Sequence, residues 1–427
     1  MTKSSDPKRP DMARYLKLFP YSKVKERMLA ALAHATSGTE MVSPSDALGR
    51  VCAETVVSGH DMPTTSVSAM DGYALRSAET RVASPSNPIR FSVKGSLFPG
   101  QRGVPRLGRL GAFYVSTGTT VQGWADAVVK VEETRSSGNQ IVVQKRVPKW
   151  KNMVLRGEDI HAGEVILKKG QIINPADIAM LISAGRRKVD VFKTPKVGIL
   201  SVGDDLEEFG GDEGKTVNNY SNLISGYLSE AGAVPVPMGI ARDDPVHIRN
   251  TIESRIDELD AIIAIGGDSV GQNDQTPNAL SEEMVFHGIK LLPVKPAGLA
   301  MVRRKPVILL PGHAVSAAFS FFLVALPALN VISGLDFDSR IPVIKARATR
   351  RFSNTHAIDA LHLVRLGGSN GGYEFAPLGW GSNILSSLAR ANGFLRVAPA
   401  EVVENGEERA ITLLGSLEIS RTGKRFH

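Results

Sequence analysis

The spacing of apolar and polar positions changes several times along this 427-residue chain, and the changes divide it into segments. Tyr21 to Thr36 carries Val24, Met28, Leu29 and Leu32 at helical spacing. That predicts a helix, with Ser22 as its candidate cap. A second short helix is expected to start at Ser43-Pro44-Ser45. From about 75 to 147 the period falls to two: IRFSVKGSL, AFYVST and DAVVKVEETR alternate, and Ser137-Gly138-Asn139 predicts a hairpin turn before QIVVQKRV. The segment 148–190 holds the charged turn Arg156-Gly157-Glu158-Asp159 and short strands around Gly163 and Gly170. It ends in a helix opened by Asn174-Pro175 and closed by Gly185.

From Lys196 to about Gly334 strands alternate with helices. KVGILSV reads as a buried strand ending at Gly203-Asp204-Asp205. Tyr220 to Ala231 is a helix closed by Gly232, and Val234 to Met238, with two prolines, is a short or edge strand. Asp244-Pro245 opens a helix ending near Leu259. Ala261 to Ile265 is a continuous apolar run, which fits a strand buried on both faces. It breaks at Gly266-Gly267 into a polar loop with Asp268, Ser269, Gly271, Asn273 and Asp274. Thr276 and Pro277 are expected as N-cap and first residue of a helix running to about His287. KLLPVK and PVILLPG read as further strands, and Ala314 to Ile332 as a long apolar helix. The alternation predicts a doubly wound parallel sheet with right-handed crossovers. Residues 338–427 return to short strands separated by Gly, Ser and Asn, which predicts a small barrel-like domain.

The Gly266-Gly267 loop admits several readings. Gly267-Asp268-Ser269-Val270-Gly271 spells the nucleophile elbow, G-x-S-x-G, but that elbow needs a helix directly after the serine, and Gln272 to Thr276 intervene. A hydrolase using Ser269 also needs a base, for which His287 and His313 are candidates only by order. The dinucleotide fingerprint G-x-G-x-x-G is absent. An ordinary βα turn and an anion site remain. The second has a buried strand, a glycine-rich loop and a helix N-terminus in its favour.

Composition is that of a globular domain set: 42% hydrophobic, 22% charged, net charge +8 and a pI near 9.5. The basic residues fall in short clusters, Arg186-Arg187-Lys188, Arg303-Arg304-Lys305 and Arg350-Arg351. Each reads first as solvated surface and second as attraction for a small anionic substrate. The aromatic-plus-basic pattern of a nucleic-acid reader is missing. Cys52 is the one cysteine, so no intrachain disulfide or cysteine metal cluster is expected, and a reducing cytoplasm fits. MTKSSDPKRP lacks the apolar core of a signal peptide. Phe319 to Ile332, interrupted by Pro327 and Asn330, reads as a buried core helix and not a membrane span.

Six motifs then occur in order: Ser68-Ala69-Met70-Asp71-Gly72-Tyr73-Ala74, Ser116-Thr117-Gly118, Asp126-Ala127-Val128-Val129, Arg156-Gly157-Glu158-Asp159-Ile160, Gly266-Gly267-x-Ser269-Val270-Gly271 and Pro311-Gly312-x-x-Val315-Ser316-Ala317. Together they resemble the molybdopterin molybdenumtransferase family, which includes the C-terminal domain of gephyrin. The resemblance runs from about residue 20 to 420. It implies a homodimer of elongated four-domain subunits. The domains expected are a discontinuous linker and dimerisation domain (11–60 and 146–190), an inserted β domain (61–145), a molybdopterin-binding α/β domain (191–336) and a C-terminal β-barrel-like domain (337–427). It also implies a reaction: adenylylated molybdopterin and molybdate give molybdenum cofactor and AMP, with Mg2+ or another divalent cation. The residues implied for catalysis are Asp274, Asp204, Asp205 and Asp159, with Asp274 and Asp204 as metal ligands. Those implied for binding are Gly203, Gly266, Gly267, Ser269, Gly271, Lys295, Gly312, Ser316, Asp71 and Arg156. The C-terminal domain of one subunit is expected to approach the α/β pocket of the other.

Several positions depart from the family pattern. Ser66-Val67 stand where Asp-Asn is usual, and Val202-Gly203-Asp204-Asp205 replaces Thr-Gly-Asp-Glu. Asn218-Asn219-Tyr220 stands for Asp-Ser/Thr-Asn, and Pro311-Gly312-His313-Ala314 for Pro-Gly-Asn-Pro. Lys-Pro-Gly-Lys-Pro is matched to Lys295-Pro296-Ala297-Gly298-Leu299, which loses a lysine at Gly298, while Asp268 adds a negative charge. Two functions follow: an insertase, or a relative that binds molybdopterin or a nucleotide as carrier or scaffold.

Overall fold

The computed structural model describes residues 17–101, 103, 106–121, 123–210, 214–267, 275–369 and 372–414. The chain forms two compact units. One holds 41–48 and 54–190; the other holds the remaining N-terminal residues and everything from Val191 onward.

The first unit is built on a six-stranded sheet. Its order is Ala127–Lys130, Gly72–Leu75, Gly111–Val115, Ile89–Leu97, Gln140–Val143 and Thr134–Ser137. The period-two stretches supply these strands, and inward residues of both faces are buried: Ala74, Val115 and Val128 on one, Phe91, Val129 and Ile141 on the other. The expected hairpin forms between Ser137 and Gln140. DAVVKVEETR is not one strand. A 3-10 turn at Val131–Glu133 separates Ala127–Lys130 from Thr134–Ser137. Asn174 closes a capping box on the helix Pro175–Ser183.

The second unit contains the α/β domain. Its sheet runs Val234–Ala241, Lys196–Val202, Ala261–Gly266, Lys305–Leu310, Gly298–Val302 and Met284–His287. The first four strands are parallel. Residues alternate between two cores: Val197, Ile199, Ala261 and Ile263 face one helical layer, and Leu200, Val202 and Ile262 the other. That two-sided burial is why these strands read as unbroken apolar runs.

The order carries a topological fact. The chain leaves Lys196–Val202, adds Val234–Ala241 on one side through the helix Tyr220–Glu230, and then returns through Pro245–Arg255 to place Ala261–Gly266 on the other side. A crevice opens where the winding reverses, beyond the carboxyl ends of Lys196–Val202 and Ala261–Gly266.

Several expectations need correction here. The sheet is parallel over four strands only, since Gly298–Val302 and Met284–His287 add as an antiparallel pair. KLLPVK forms no strand. Leu292–Pro293 is a cis peptide there, and the strand begins later, at Gly298. The helix expected to reach His287 spans only Gln275–Ala279, with Thr276 inside it, and Met284–His287 is a strand. The N-terminal helix is Tyr21–Leu32, led by Pro20 and not capped by Ser22. Val234 is indeed on an edge strand, but that strand continues to Ala241.

The apolar helix Ala314–Ile332 is 19 residues long, enough by length and composition alone to cross a membrane, yet it is almost entirely buried in protein. Its middle, Phe321–Ala325, widens to a π turn just before Pro327, which has no N–H to donate. The barrel after it closes in the order Val343–Ala348, Gly372–Pro377, Ala360–Ser369, Gly393–Val397, Glu408–Leu413. It is filled by Val364, Leu366, Phe375, Leu395 and Ile411.

Candidate functional site

A cavity of about 950 Å³ lies at the switch point. Strand ends build it. Val202 and Gly203 close one wall; Ile265, Gly266 and Gly267 continue from the adjacent strand. Gly266 and Gly267 have φ of 89° and 65°. A Cβ at Gly266 would sit 2.6 Å from the Val202 carbonyl oxygen, and one at Gly267 would sit 2.5 Å from Thr276 Oγ1. Only glycine permits this turn and this closeness. Thr276 locks it: its backbone N–H donates to the Gly267 carbonyl (3.1 Å) and its hydroxyl to the Gly266 carbonyl (3.1 Å).

The third strand end, Pro311-Gly312-His313, leads into the long buried helix, and all three residues with Ser316 line the cavity. His313 is the N-cap, but its side chain makes no capping hydrogen bond. The helix therefore turns its positive end toward the cavity. Lys295 lines the same space, between Pro293 and Pro296.

The acidic wall is Asp205 with Asp243, the latter just after the edge strand. Asp243 titrates above the ordinary carboxylate range, first because the cavity wall partly desolvates it. A hydrogen bond from the Asp204 backbone opposes this, and the charges of Asp204 and Asp205 add to it. Ser201 donates to Asn218 Oδ1 (2.8 Å), and both, though buried, belong to the cavity lining. The fourth wall comes from the C-terminal region of the same chain. Tyr220 donates to Asn383 Oδ1 (2.9 Å), the Val315 N–H donates to the Ser382 carbonyl (3.0 Å), and Trp380, Ser382 and Asn383 line the cavity.

Of the residues singled out in the sequence, the structure brings together Gly203, Asp205, Gly266, Gly267, Lys295, Gly312 and Ser316 on this lining. Asp204 is beside it and contributes through its backbone to Asp243. Ser269, Gly271 and Asp274, with Asp268 and Asn273, lie outside the described residues. Asp71, Arg156 and Asp159 belong to the other unit. There Asp71 accepts from the Thr117 N–H (2.7 Å) and hydroxyl (2.9 Å), which lowers its titration. Arg156 Nε donates to Asp61 (2.6 Å), and the Asp159 N–H to the Met62 carbonyl (3.1 Å). Among the described residues no three acidic, histidine or cysteine groups converge on a metal position. His287 does not line the cavity. It is largely buried, donates to the Pro296 carbonyl, and burial pushes its titration down to about 4.

The supposed loss of a lysine at Gly298 is also corrected. Gly298 is buried in the antiparallel strand pair, where a Cβ would meet the Phe286 carbonyl oxygen at 3.0 Å, and it does not line the cavity. Matched three residues earlier, the same motif reads Leu292-Pro293-Val294-Lys295-Pro296, with both prolines and the second lysine in place. Four of these five, Leu292, Pro293, Lys295 and Pro296, line the cavity wall. Asp243 was missed because Asp244-Pro245 beside it was read only as a helix start; a carboxylate just after a strand end was the available signal.

Glycine-lined strand ends, a helix N-terminus and a lysine around a large cavity are features of a domain suited to phosphorylated or oxyanionic ligands. Family profiles match in the same order: the MoeA N-terminal region (domain I and II) over residues 19–185, a probable molybdopterin binding domain over 198–331, and the MoeA C-terminal region (domain IV) over 345–414. The chain belongs to the MoeA family. A molybdopterin biosynthesis MoeA protein of Pyrococcus horikoshii OT3 is 30% identical, with a TM-score of 0.81 over 93% of this chain and 100% of that one. The molybdopterin molybdenumtransferase of Staphylococcus aureus strain COL is 28% identical over 357 residues, 82% of this chain and 85% of the relative. A putative molybdopterin biosynthesis protein of Methanocaldococcus jannaschii is 29% identical over 385 residues, 86% and 90% of the two chains.

Proposed function

We propose that this chain is a molybdopterin molybdenumtransferase: it inserts molybdate into adenylylated molybdopterin and releases AMP. The observation that carries this is the cavity at the switch point, whose glycine loops, helix N-terminus and Lys295 present donors and positive charge to a phosphate and a tetrahedral oxyanion. Its volume of about 950 Å³ suits a substrate much larger than a lone anion. With Lys295 and its flanking prolines in place, nothing on the described lining favours the carrier reading.

The residues also fit a divalent cation such as Mg2+. Asp205 and Asp243 offer carboxylates on one wall, with Asp204 beside them. Two carboxylates plus substrate phosphates is the usual support for Mg2+, which would screen phosphate charge during cleavage of the adenylate bond. Asp274 is the third acid we assign to this cation, and Ser269 and Gly271 to the substrate loop. Asp71 and Arg156 we assign to substrate binding, and Asp159 to catalysis. We read the protein as a cytoplasmic homodimer, and light scattering should give twice the 45.8 kDa chain mass.

The test is AMP release from adenylylated molybdopterin by purified protein, with and without molybdate. Release should need molybdate and should stop with EDTA and resume with Mg2+. An absence of release at every molybdate concentration overturns the proposal.

A further inference from the structure

Backbone amides and a lysine hold phosphates without distinguishing what the phosphates are attached to. Something else on the wall must recognise the rest of the ligand, and one residue has the geometry for it. Trp380 lines the cavity, in the irregular Gly379-Trp380-Gly381 segment, with 39% of its surface exposed. It is nevertheless fixed. Its indole N–H donates to the Leu361 carbonyl (3.2 Å), and the His356 ring packs on it with centroids 4.2 Å apart and planes tilted by 35°. The His356 backbone is itself held: its backbone N–H donates to Asn354 Oδ1 (2.9 Å), and the Asn354 side-chain amide donates to the Ile358, Val397 and Ala398 carbonyls. An exposed indole held on its edge and one face is a preorganised apolar plane, and stacking on it costs little further ordering.

We infer that Trp380 is the stacking platform for a flat heteroaromatic ring of the anionic substrate, a purine or a pterin, and so sets specificity for what the phosphates carry. This rests on the function proposed above. In Trp380→Leu the bulk stays and the flat ring goes; Trp380→Phe keeps a smaller ring. Three probes separate the contributions: AMP, a 6-substituted pterin phosphate, and ribose 5-phosphate, which has no ring. Dissociation constants would be measured by calorimetry on the full chain, with melting curves on both variants.

At least one ring ligand should bind Trp380→Leu about tenfold more weakly, with Trp380→Phe intermediate and ribose 5-phosphate unchanged within twofold. Which of AMP or the pterin phosphate responds identifies the ring. For the same variant, KM for adenylylated molybdopterin should rise more than kcat falls. Equal affinity of wild type and Trp380→Leu for both ring ligands overturns the inference while leaving molybdate-dependent AMP release, and hence the proposed function, standing. Equal weakening of all three probes overturns it in favour of a packing role. Failure of wild type to bind either ring ligand, with no AMP release, removes both.

Discussion

Asp243 is a carboxylate that the cavity holds against its preference. Its titration in the folded chain lies above the ordinary value of 3.8, so the folded state binds this proton more tightly than the unfolded state does. As pH rises from 3.8 through the folded value, ionisation therefore lowers stability. Asp243→Asn should melt higher than wild type at pH 7, the gain disappearing below about pH 3.8, while AMP release requires more Mg2+. A lower melting temperature at pH 7 would contradict this account. Lys295 gives the complementary case. A charge-assisted contact to an oxyanion is worth roughly 1.5–3 kcal/mol, so Lys295→Ala should raise the molybdate or substrate KM by about tenfold or more at unchanged melting temperature. Gly298→Lys, by contrast, adds no cation to the cavity. Its Cβ would press on the Phe286 carbonyl, so it should lower the melting temperature and leave the molybdate dependence of any folded protein as in wild type.

Three elements meet at the cavity because three buried strands end there, and those were legible: Lys196–Val202, Ala261–Gly266 and Lys305–Leu310 are apolar on both faces. The hairpin beside them was not. Gly298–Val302 is short and opens on a glycine, and its turn carries none of the residues that announce one. Val302 pairs with Lys305, so the two-residue turn is Arg303-Arg304, with φ of 48° and 66°. A type I′ turn wants Asn-Gly, and two arginines there read instead as a basic surface cluster. The structure gives Arg303 a different role, an exposed ion pair with Asp257 (2.6 Å). Left-handed backbone costs a non-glycine residue ~1–2 kcal/mol, and exposed pairs return ~0–1 kcal/mol. Arg303→Asn with Arg304→Gly should therefore stabilise the protein by about 1 kcal/mol, raise its melting temperature, and leave AMP release unchanged. Loss of stability would show that the basic turn is held by more than that ion pair.

The chain as a whole carries a net charge of +8, and its acid response is set by a few groups whose titration the fold shifts. The division into a β-rich segment, an α/β segment and a barrel was readable because period changes with architecture. The charge states of buried histidines were not, since burial depends on which loops pack over them. His362, in the barrel wall beside Phe352, is pushed down to about 4, first by burial and then by His356; His287 is pushed to about 4 by burial. Each unfolded histidine titrates near 6.5, so between pH 6.5 and 4 the unfolded chain holds protons that the folded chain refuses. Stability should fall as pH drops through that window, by up to ~1.4 kcal/mol per pH unit for each histidine. Asp61, Asp71, Glu283 and Glu401 are shifted the other way, chiefly by hydrogen bonds to their carboxylates, so their contribution is intact above the ordinary values of 3.8 and 4.5 and is lost only as pH falls below them. The acid limb thus has two stages, histidines first and carboxylates after. His362→Phe removes one proton site and keeps a ring packed against Phe352. Melting temperature followed from pH 7 to 3 should then show a shallower decline between 6.5 and 4 and an unchanged slope below. A wild-type slope in the upper window would mean that His362 accepts its proton in the folded barrel.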